Sequence, residues 1–216
     1  MVHQYQWKRI SVEFIMVRIS LTGQVHKSLL AHIKHGATCI DATAGNGYDT
    51  LFLASHAGET GHIYAFDIQQ RAIDNTKKRL AEAGLLDRVT LIRAGHETML
   101  EQVPATEHGK VDIIAFNLGY LPRTDKSVIT IESTTLQALN SSLKLLSSRG
   151  YISILAYPGH PGGREETEAV KAWAKDLPAA FDVRIHKPEN SIGSSPEWIE
   201  INAIAECPLS PKSDIQ

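Results

Sequence analysis

The residues best suited to chemistry stand in and just after a glycine-rich segment at residues 41–50, which reads DATAGNGYDT. Gly45 and Gly47 lack the side chains that would keep a ligand away from the backbone. A helix that begins in such a segment leaves backbone N–H groups free. Asp67 follows Gly47 by twenty residues, the spacing at which an acidic residue accepts hydrogen bonds from a ribose. The pattern predicts a site for a nucleoside-containing cofactor.

The charge of this segment discriminates between two classes of cofactor. A dinucleotide-binding loop has a third glycine where this chain has Thr50. The carboxylate of Asp41 would repel a pyrophosphate, whereas S-adenosylmethionine carries an ammonium and a sulfonium that tolerate an acidic neighbour. We therefore expect S-adenosylmethionine, with Asp41 near its amino-acid end, partly through water. The alternative interpretation is that Asp41 only caps the turn, as aspartate often does.

Strands and helices alternate along the chain and predict the elements that hold these residues. Strands are predicted at 38–42, 62–68, 89–93, 111–116, 151–156, 181–186 and 198–205, and helices at 25–34, 50–56, 71–84, 98–103, 133–146 and 164–176. Strands separated by helices form a parallel sheet, while the last two strands are expected to pair as an antiparallel edge hairpin. We predict an α/β, Rossmann-like class I methyltransferase fold, with a seven-stranded, mostly parallel sheet and helices on both faces.

Length and composition are those of a globular protein with one main domain. The chain has 216 residues, of which 43% are hydrophobic and 21% charged. No apolar run approaches the ~20 residues of a membrane span, and we expect no signal peptide. Cys39, Cys207 and the scattered histidines predict neither a redox pair nor a metal site, so we expect a cytoplasmic protein. We divide the chain into an N-terminal extension (1–20), a catalytic domain (21–207) and a disordered tail (208–216).

The net charge of −2 is unlike that of proteins that hold a long nucleic-acid duplex. Two small basic groups could contact a few phosphates of a compact RNA or belong to an ordinary solvated surface: Arg123 with Lys126, and Arg184 with His186 and Lys187.

Asn117 and Tyr120 follow the fourth strand, where enzymes that methylate amino groups of nucleobases often carry an Asn-Pro-Pro-Tyr tetrad. Asn117 can accept hydrogen bonds from an amine and so orient its lone pair, and Tyr120 can stack on a base. Asp125 is a candidate proton acceptor, with Tyr120 and His160 as rivals. The alternatives are an ordinary turn for Asn117 and a surface ion pair for Asp125. The predicted catalytic residues are Asn117, Tyr120 and Asp125.

Two further loops are expected at the same edge of the sheet. His96 and Glu97 either contact an adenine edge or cap the following helix. The segment 157–164, with three glycines and two prolines before a helix, either shapes the substrate pocket or simply connects two elements. Asn190, between the last two strands, is a weaker candidate for the same pocket.

Several motifs together resemble the bacterial family known as putative ribosomal RNA methylases. They are DATAGNGYDTLFLA (41–54), FDIQ (66–69), GHE (95–97), FNLGYLP (116–122), DKS (125–127) and YPGHPGG (157–163). The family includes the tRNA methyltransferases that complete 5-methylaminomethyluridine at the wobble position. The resemblance covers roughly residues 20–205. It leaves the first twenty residues without a counterpart, and residues 161–163 depart from the acidic residues expected after Gly-His.

The resemblance implies methyl transfer from S-adenosylmethionine to the aminomethyl nitrogen of uridine 34, with a tRNA anticodon stem-loop as partner and a homodimer as one possible assembly. The predicted cofactor-binding residues are Asp41, Thr43, Gly45, Asn46, Gly47, Asp49, Thr50, Asp67, Gln69, Gly95, His96 and Asn117. The predicted substrate-binding residues are Tyr120, Pro122, Tyr157, His160 and Asn190.

Two other functions remain open from the sequence. The same cofactor could serve another acceptor, such as ribosomal RNA, a protein or a small amine. The glycine-rich segment could also belong to a nucleotide-binding module without catalysis or to a nucleotide-binding oxidoreductase that uses NAD.

Overall fold

A computed structural model describes residues 20–121, 128–187 and 194–204 of the chain. Seven strands form one sheet in the order β3-β2-β1-β4-β5-β7-β6. The strands are β1 (Thr38–Asp41), β2 (His62–Phe66), β3 (Val89–Ile92), β4 (Val111–Leu118), β5 (Leu146–Ala156), β6 (Phe181–His186) and β7 (Glu197–Ala203). The α-helices are α1 (Leu21–His32), α2 (Tyr48–His56), α3 (Gln70–Glu82), α4 (Met99–Gln102), α5 (Glu132–Leu145) and α6 (Gly163–Lys175).

The direction of the strands confirms the predicted sheet. Strands β1 to β5 pair in parallel. Strand β7 runs antiparallel to both β5 and β6, so it is the one reversed strand of the sheet. The carboxyl ends of β1 to β5 therefore meet at a single edge, which is where ligands bind in open α/β sheets.

Two hydrophobic layers cover the sheet, because neighbouring residues of its central strands point to opposite faces. One layer packs helices α1, α2 and α3 on side chains such as Cys39 and Ile113. The other packs α4, α5 and α6 on side chains such as Ile40 and Ile114. Both faces of the central strands are thus buried, which explains why these strands read as continuous apolar runs.

The boundaries of several elements differ from the sequence prediction. Strand β4 continues two residues beyond 116, because its pairing with β5 extends to Leu118 and Ala156. Helix α1 begins at Leu21 rather than at residue 25, since the Ser20 hydroxyl accepts a hydrogen bond from the Gly23 N–H at 3.1 Å. Strand β5 begins at Leu146, directly after α5, rather than at residue 151.

The predicted tail and all but the last residue of the predicted N-terminal extension lie outside the described residues. Within the described ranges, no helix combines the length and the apolar character that crossing a bilayer requires.

Candidate active site

A cavity lies at the carboxyl ends of β1, β2 and β4, where four segments of the chain converge. Its wall is formed by residues 42–45, 67–69, 94–97 and 117–121, and it is closed on one side by residues 128–134. The ionisable side chains among the described lining residues are Asp67, His96, Glu97 and Tyr120, and no lysine or arginine stands among them. The cavity therefore favours a ligand that carries positive rather than negative charge.

Gly45 and Gly47 have different roles, although both adopt positive φ angles, of 54° and 77°. Gly45 lines the cavity and its N–H donates to the Asp67 carboxylate at 3.0 Å. A Cβ on Gly47 would instead lie 2.8 Å from the Cα of Thr76. The missing side chain of Gly47 therefore allows helix α3 to approach the loop, and its expected contact with a cofactor stays a prediction.

Asp67 joins two loops at the cavity wall. One carboxylate oxygen accepts the Gly45 N–H, and the other accepts the Gln69 N–H at 2.8 Å. Burial raises the pKa of this carboxyl, although the two backbone hydrogen bonds oppose the rise. Asp67 and Gln69 both line the cavity, and the glycine loop that the spacing paired with Asp67 meets its carboxylate through the Gly45 N–H.

Asp41 and Thr50 are fully buried and do not line the cavity. The Asp41 carboxylate accepts hydrogen bonds from the Thr43 N–H at 3.1 Å and from the Thr50 hydroxyl at 2.6 Å. Burial, followed by the nearby Asp49 carboxylate, raises the pKa of Asp41 to about 7. These hydrogen bonds hold the glycine loop, and neither side chain is exposed for direct contact with a cofactor. The expected position of Asp41 near the amino-acid end of the cofactor, partly through water, stays a prediction.

Asn46 also faces away from the cavity. Its side-chain oxygen accepts from Asn75 at 3.0 Å, and its backbone oxygen accepts from Arg79 at 2.8 Å. These contacts fasten the loop to helix α3, so the predicted contact of the Asn46 side chain with a cofactor is not supported by its position.

Asn117 lies in strand β4 rather than in a loop, and three elements fix it. Its backbone N–H donates to the Thr43 hydroxyl at 2.7 Å, which ties β4 to the glycine loop. Its side-chain amide donates to the Asp49 carboxylate at 2.6 Å. The other oxygen of Asp49 lies 2.6 Å from Nε2 of His26 in helix α1. Asn117 and Thr43 line the cavity.

Gly95, His96 and Glu97 form the wall opposite the glycine loop. His96 is 7% exposed, packs edge-on against Phe116 with ring centroids 5.8 Å apart, and has a pKa lowered by burial. A Cβ on Gly95 would lie 2.2 Å from the carboxylate of Glu97, so this glycine leaves room for that side chain to fold over it. The segment is a 3₁₀ turn before α4, and the N-cap residues Gly95 and Thr98 make no side-chain capping hydrogen bond. The contact of His96 and Glu97 with an adenine edge stays a prediction.

The predicted substrate residues are only partly brought together. Tyr120 lines the cavity and meets His160 edge-on, with ring centroids 6.0 Å apart. Nε2 of His160 is buried and has no hydrogen-bond partner within the part of the chain that the structure describes. Tyr157 is 38% exposed, does not line the cavity and is hydrogen-bonded to Thr22, while burial of its hydroxyl raises its pKa. Pro122, Asp125 and Asn190 lie outside the described residues.

The sequence interpretation missed two parts of the site. His26 belongs to a helix whose pattern shows only which face packs on the sheet, so nothing local indicates its contact with Asp49. Ile68, Thr134 and the segment 128–131 line the cavity. The buried Glu166 carboxylate holds this segment by accepting from the Thr130 hydroxyl at 2.8 Å. In the sequence, the run of β-branched residues at 128–131 was the one signal that could have indicated an ordered segment here.

Comparison with known proteins places this geometry among methyltransferases. The profile of the family described as "Putative rRNA methylase" matches residues 63–202. The chloroplastic tRNA (mnm(5)s(2)U34)-methyltransferase of Arabidopsis thaliana is 41% identical over 179 residues, which are 79% of this chain. This chain spans only 65% of the length of that plant protein.

Two solved structures share the fold and much of the sequence. A putative rRNA methylase from Clostridium thermocellum is 41% identical, with a TM-score of 0.79 over 84% of this chain and 96% of the other. A putative methyltransferase from Streptococcus mutans, crystallised with SAH, is 34% identical, with a TM-score of 0.74 and the same coverage. The predicted class I fold is thereby confirmed.

Proposed function

The chain belongs to the family described as "Putative rRNA methylase", and we propose that it transfers a methyl group from S-adenosylmethionine to the aminomethyl nitrogen of 5-aminomethyluridine at the tRNA wobble position. The observation that carries the proposal is the charge around the glycine loop. Asp41 is close enough to both Asp49 and Asp67 for their charges to raise its pKa. A cationic ligand relieves this repulsion, whereas a pyrophosphate would add to it.

The residues present fit S-adenosylmethionine. Thr43, Gly45, Asp67, Gly95 and His96 all line the cavity. In this proposal Asp67 accepts hydrogen bonds from the ribose, while Gly95 and His96 contact the adenine. The Asp49 carboxylate, which is 18% exposed, supplies negative charge beside Asn117. When bound, S-adenosylmethionine supplies an electrophilic methyl group on a positively charged sulfur.

Asn117 positions the acceptor amine in this proposal. Since its amide nitrogen donates to Asp49, its Oδ1 is left to accept a hydrogen bond from the amine. A hydrogen bond to one N–H group turns the nitrogen lone pair away from Asn117 and toward the cofactor side. Holding the two reactants in this orientation lowers the activation barrier by several kcal/mol, the order of magnitude found for oriented reacting groups.

The tRNA acceptor is supported by the plant relative, whose name specifies a U34 methyltransferase. Tyr120 at the cavity wall offers a ring on which a single unpaired base can stack. Wobble bases stand in a single-stranded loop, so the site needs no duplex-binding surface.

The test uses tRNA from a strain in which the gene is deleted, with labelled S-adenosylmethionine and analysis of the nucleosides by mass spectrometry. We expect the wild-type enzyme to convert 5-aminomethyluridine to its methylated form, and ribosomal RNA from the same strain to remain unlabelled. Labelling of ribosomal RNA alone, or an unchanged content of 5-methylaminomethyluridine in the deletion strain, would contradict the proposed acceptor.

Two substitutions separate positioning from cofactor binding. Asn117→Ala removes the acceptor for the amine, so we expect kcat to fall about a hundredfold while the affinity for S-adenosylhomocysteine changes little. Asp67→Ala removes the expected ribose contact and should mainly weaken that affinity, measured by calorimetry. An Asn117→Ala enzyme with wild-type kcat would remove Asn117 from the mechanism.

A further inference from the structure

His26 of helix α1 is linked to the cavity through Asp49 and Asn117. Its Nε2 lies 2.6 Å from one oxygen of Asp49, whose other oxygen accepts the Asn117 amide at 2.6 Å. Three elements, α1, α2 and β4, therefore contribute one side chain each to a continuous hydrogen-bonded chain. Asn117 is the cavity-lining end of this chain, and His26 stands at the other end.

The orientation of the His26 ring is fixed by packing. The ring stacks on Phe52, with centroids 4.2 Å apart and planes 14° from parallel. Phe52 belongs to the same helix as Asp49, three residues further along. The stack therefore directs Nε2 at the carboxylate and keeps it there with the ring 29% exposed.

Asp49 needs such a partner because of its surroundings. Its carboxylate lies close enough to Asp41 to raise the pKa of that acid, and its charge also raises the pKa of the Tyr157 hydroxyl, which is hydrogen-bonded to Thr22 of helix α1. Among the described residues, His26 and Asn117 are the hydrogen-bond donors to its carboxylate. Without His26, one oxygen would lose its donor, and rotation of the carboxylate would break the contact with Asn117.

The consequence for Asn117 concerns which end of its amide faces the cavity. A carboxylate only accepts hydrogen bonds, so it selects the arrangement with Nδ2 toward Asp49, in which Oδ1 has no hydrogen-bond donor among the described residues. We propose that His26 is a positioning residue for methyl transfer, which acts through Asp49 to hold Oδ1 of Asn117 ready to accept from the substrate. The inference rests on the proposed function, since it assigns Oδ1 to an amine.

The experiment compares three variants of the full chain, with His56→Ala as the matched control. His56 also contacts the Phe52 ring, at a centroid distance of 4.5 Å, but makes no contact with Asp49. His26→Ala removes the donor to Asp49. His26→Gln restores it, because the glutamine amide nitrogen reaches about as far from the backbone as Nε2 of histidine.

Two readouts are measured for each variant. The first is the ¹⁵N–¹H signal of the Asn117 side-chain amide in the ligand-free protein, and the second is kcat with tRNA that contains 5-aminomethyluridine. We expect His26→Ala to shift the amide signal and to lower kcat about tenfold, with affinity for S-adenosylhomocysteine nearly unchanged. His26→Gln should recover most of both, and His56→Ala should match the wild type in both.

The proposal is overturned if folded His26→Ala, verified by circular dichroism and thermal unfolding, keeps the wild-type amide signal and kcat. It is also overturned if His26→Gln behaves like His26→Ala. The amide signal needs no substrate, so it tests the role of His26 even if the wild-type enzyme fails to methylate this tRNA. That failure would count against the proposed function alone.

Discussion

At the scale of single residues, Asp41 is a buried acid that holds the conformation of a loop but lowers the free energy of unfolding when it is ionised. Its side chain is completely buried, and no lysine or arginine of the described residues lies close enough to lower its pKa. Hydrogen bonds from Thr43 and Thr50 favour the ionised form, but desolvation outweighs them. The ligand-free protein therefore holds an acid whose pKa is about 7, well above the usual range of an aspartate.

The sign of the pH dependence follows from this shift. The folded state binds a proton at a pH where the unfolded state has lost it, so folding takes up a proton between about pH 4 and pH 7. The contribution of Asp41 to stability is therefore most favourable below pH 4. It declines as the pH rises and reaches its lowest value above pH 7.

Asp41→Asn imitates the protonated acid and tests this dependence. At pH 8 we expect the variant to be more stable than the wild type by roughly 4 kcal/mol at most, or several degrees in Tm. Near pH 4 the advantage should largely disappear, because Asp41 of the wild type is then protonated in the folded state and about half protonated in the unfolded state. Thermal unfolding of the ligand-free proteins at both pH values makes the comparison, and a pH-independent difference would contradict the assigned cause.

At the scale of elements, the glycine loop depends on its junction with two helices. Gly47 caps α2 in a left-handed conformation and lies against α3 at Thr76. Arg79 of the same helix donates to the backbone of Asn46. Helix α3 thus holds the loop that forms the cavity floor. We expect the loop to lose this conformation when a side chain at position 47 keeps α3 away.

Gly47→Ala should be much more destabilising than the same change at Gly84. Both glycines have positive φ, 77° and 68°, but a Cβ at Gly84 meets nothing within 4 Å. Each substitution costs about 1–2 kcal/mol for the left-handed conformation. Gly47→Ala adds a contact of 2.8 Å with the backbone of α3, so we expect a total of about 3 kcal/mol or more. Urea denaturation of both variants tests this, and equal losses would show that α3 moves aside easily.

At the scale of the whole molecule, the distribution of charge fits the proposed tRNA loop better than a long duplex. The net charge is −2. The basic group predicted near the end of β6 is neutralised in the fold: Arg184 pairs with Asp182 at 2.9 Å, Lys187 with Glu197 at 3.2 Å, and His186 with Glu200. The other predicted group, Arg123 with Lys126, lies outside the described residues.

RNA binding should therefore depend only weakly on salt. With two phosphate contacts, a single-stranded RNA loses less than about tenfold in affinity between about 50 and about 200 mM salt, whereas six to ten contacts lose about 10³–10⁵. Fluorescence anisotropy with an anticodon hairpin measures the slope, and an RNA duplex of equal length is the control. A steep slope, or tighter binding of the duplex, would contradict a loop-sized target.

The sequence by itself determined the order of strands and helices and the segments that meet at one sheet edge. Both are local: apolar runs and glycine turns mark the elements, and parallel strands bring their carboxyl ends together. Spacing alone also paired the glycine loop with Asp67, which the fold joins through Gly45.

Only the tertiary structure decided which polar atoms of these segments face the cavity. Asp41 is buried under the loop, and Gly47 lies against α3. His26, 91 positions earlier in the chain than Asn117, is linked to it through Asp49. The physical reason is that hydrogen-bond partners and burial depend on side chains contributed by distant elements. A spacing in the sequence cannot specify the packing distances between those elements.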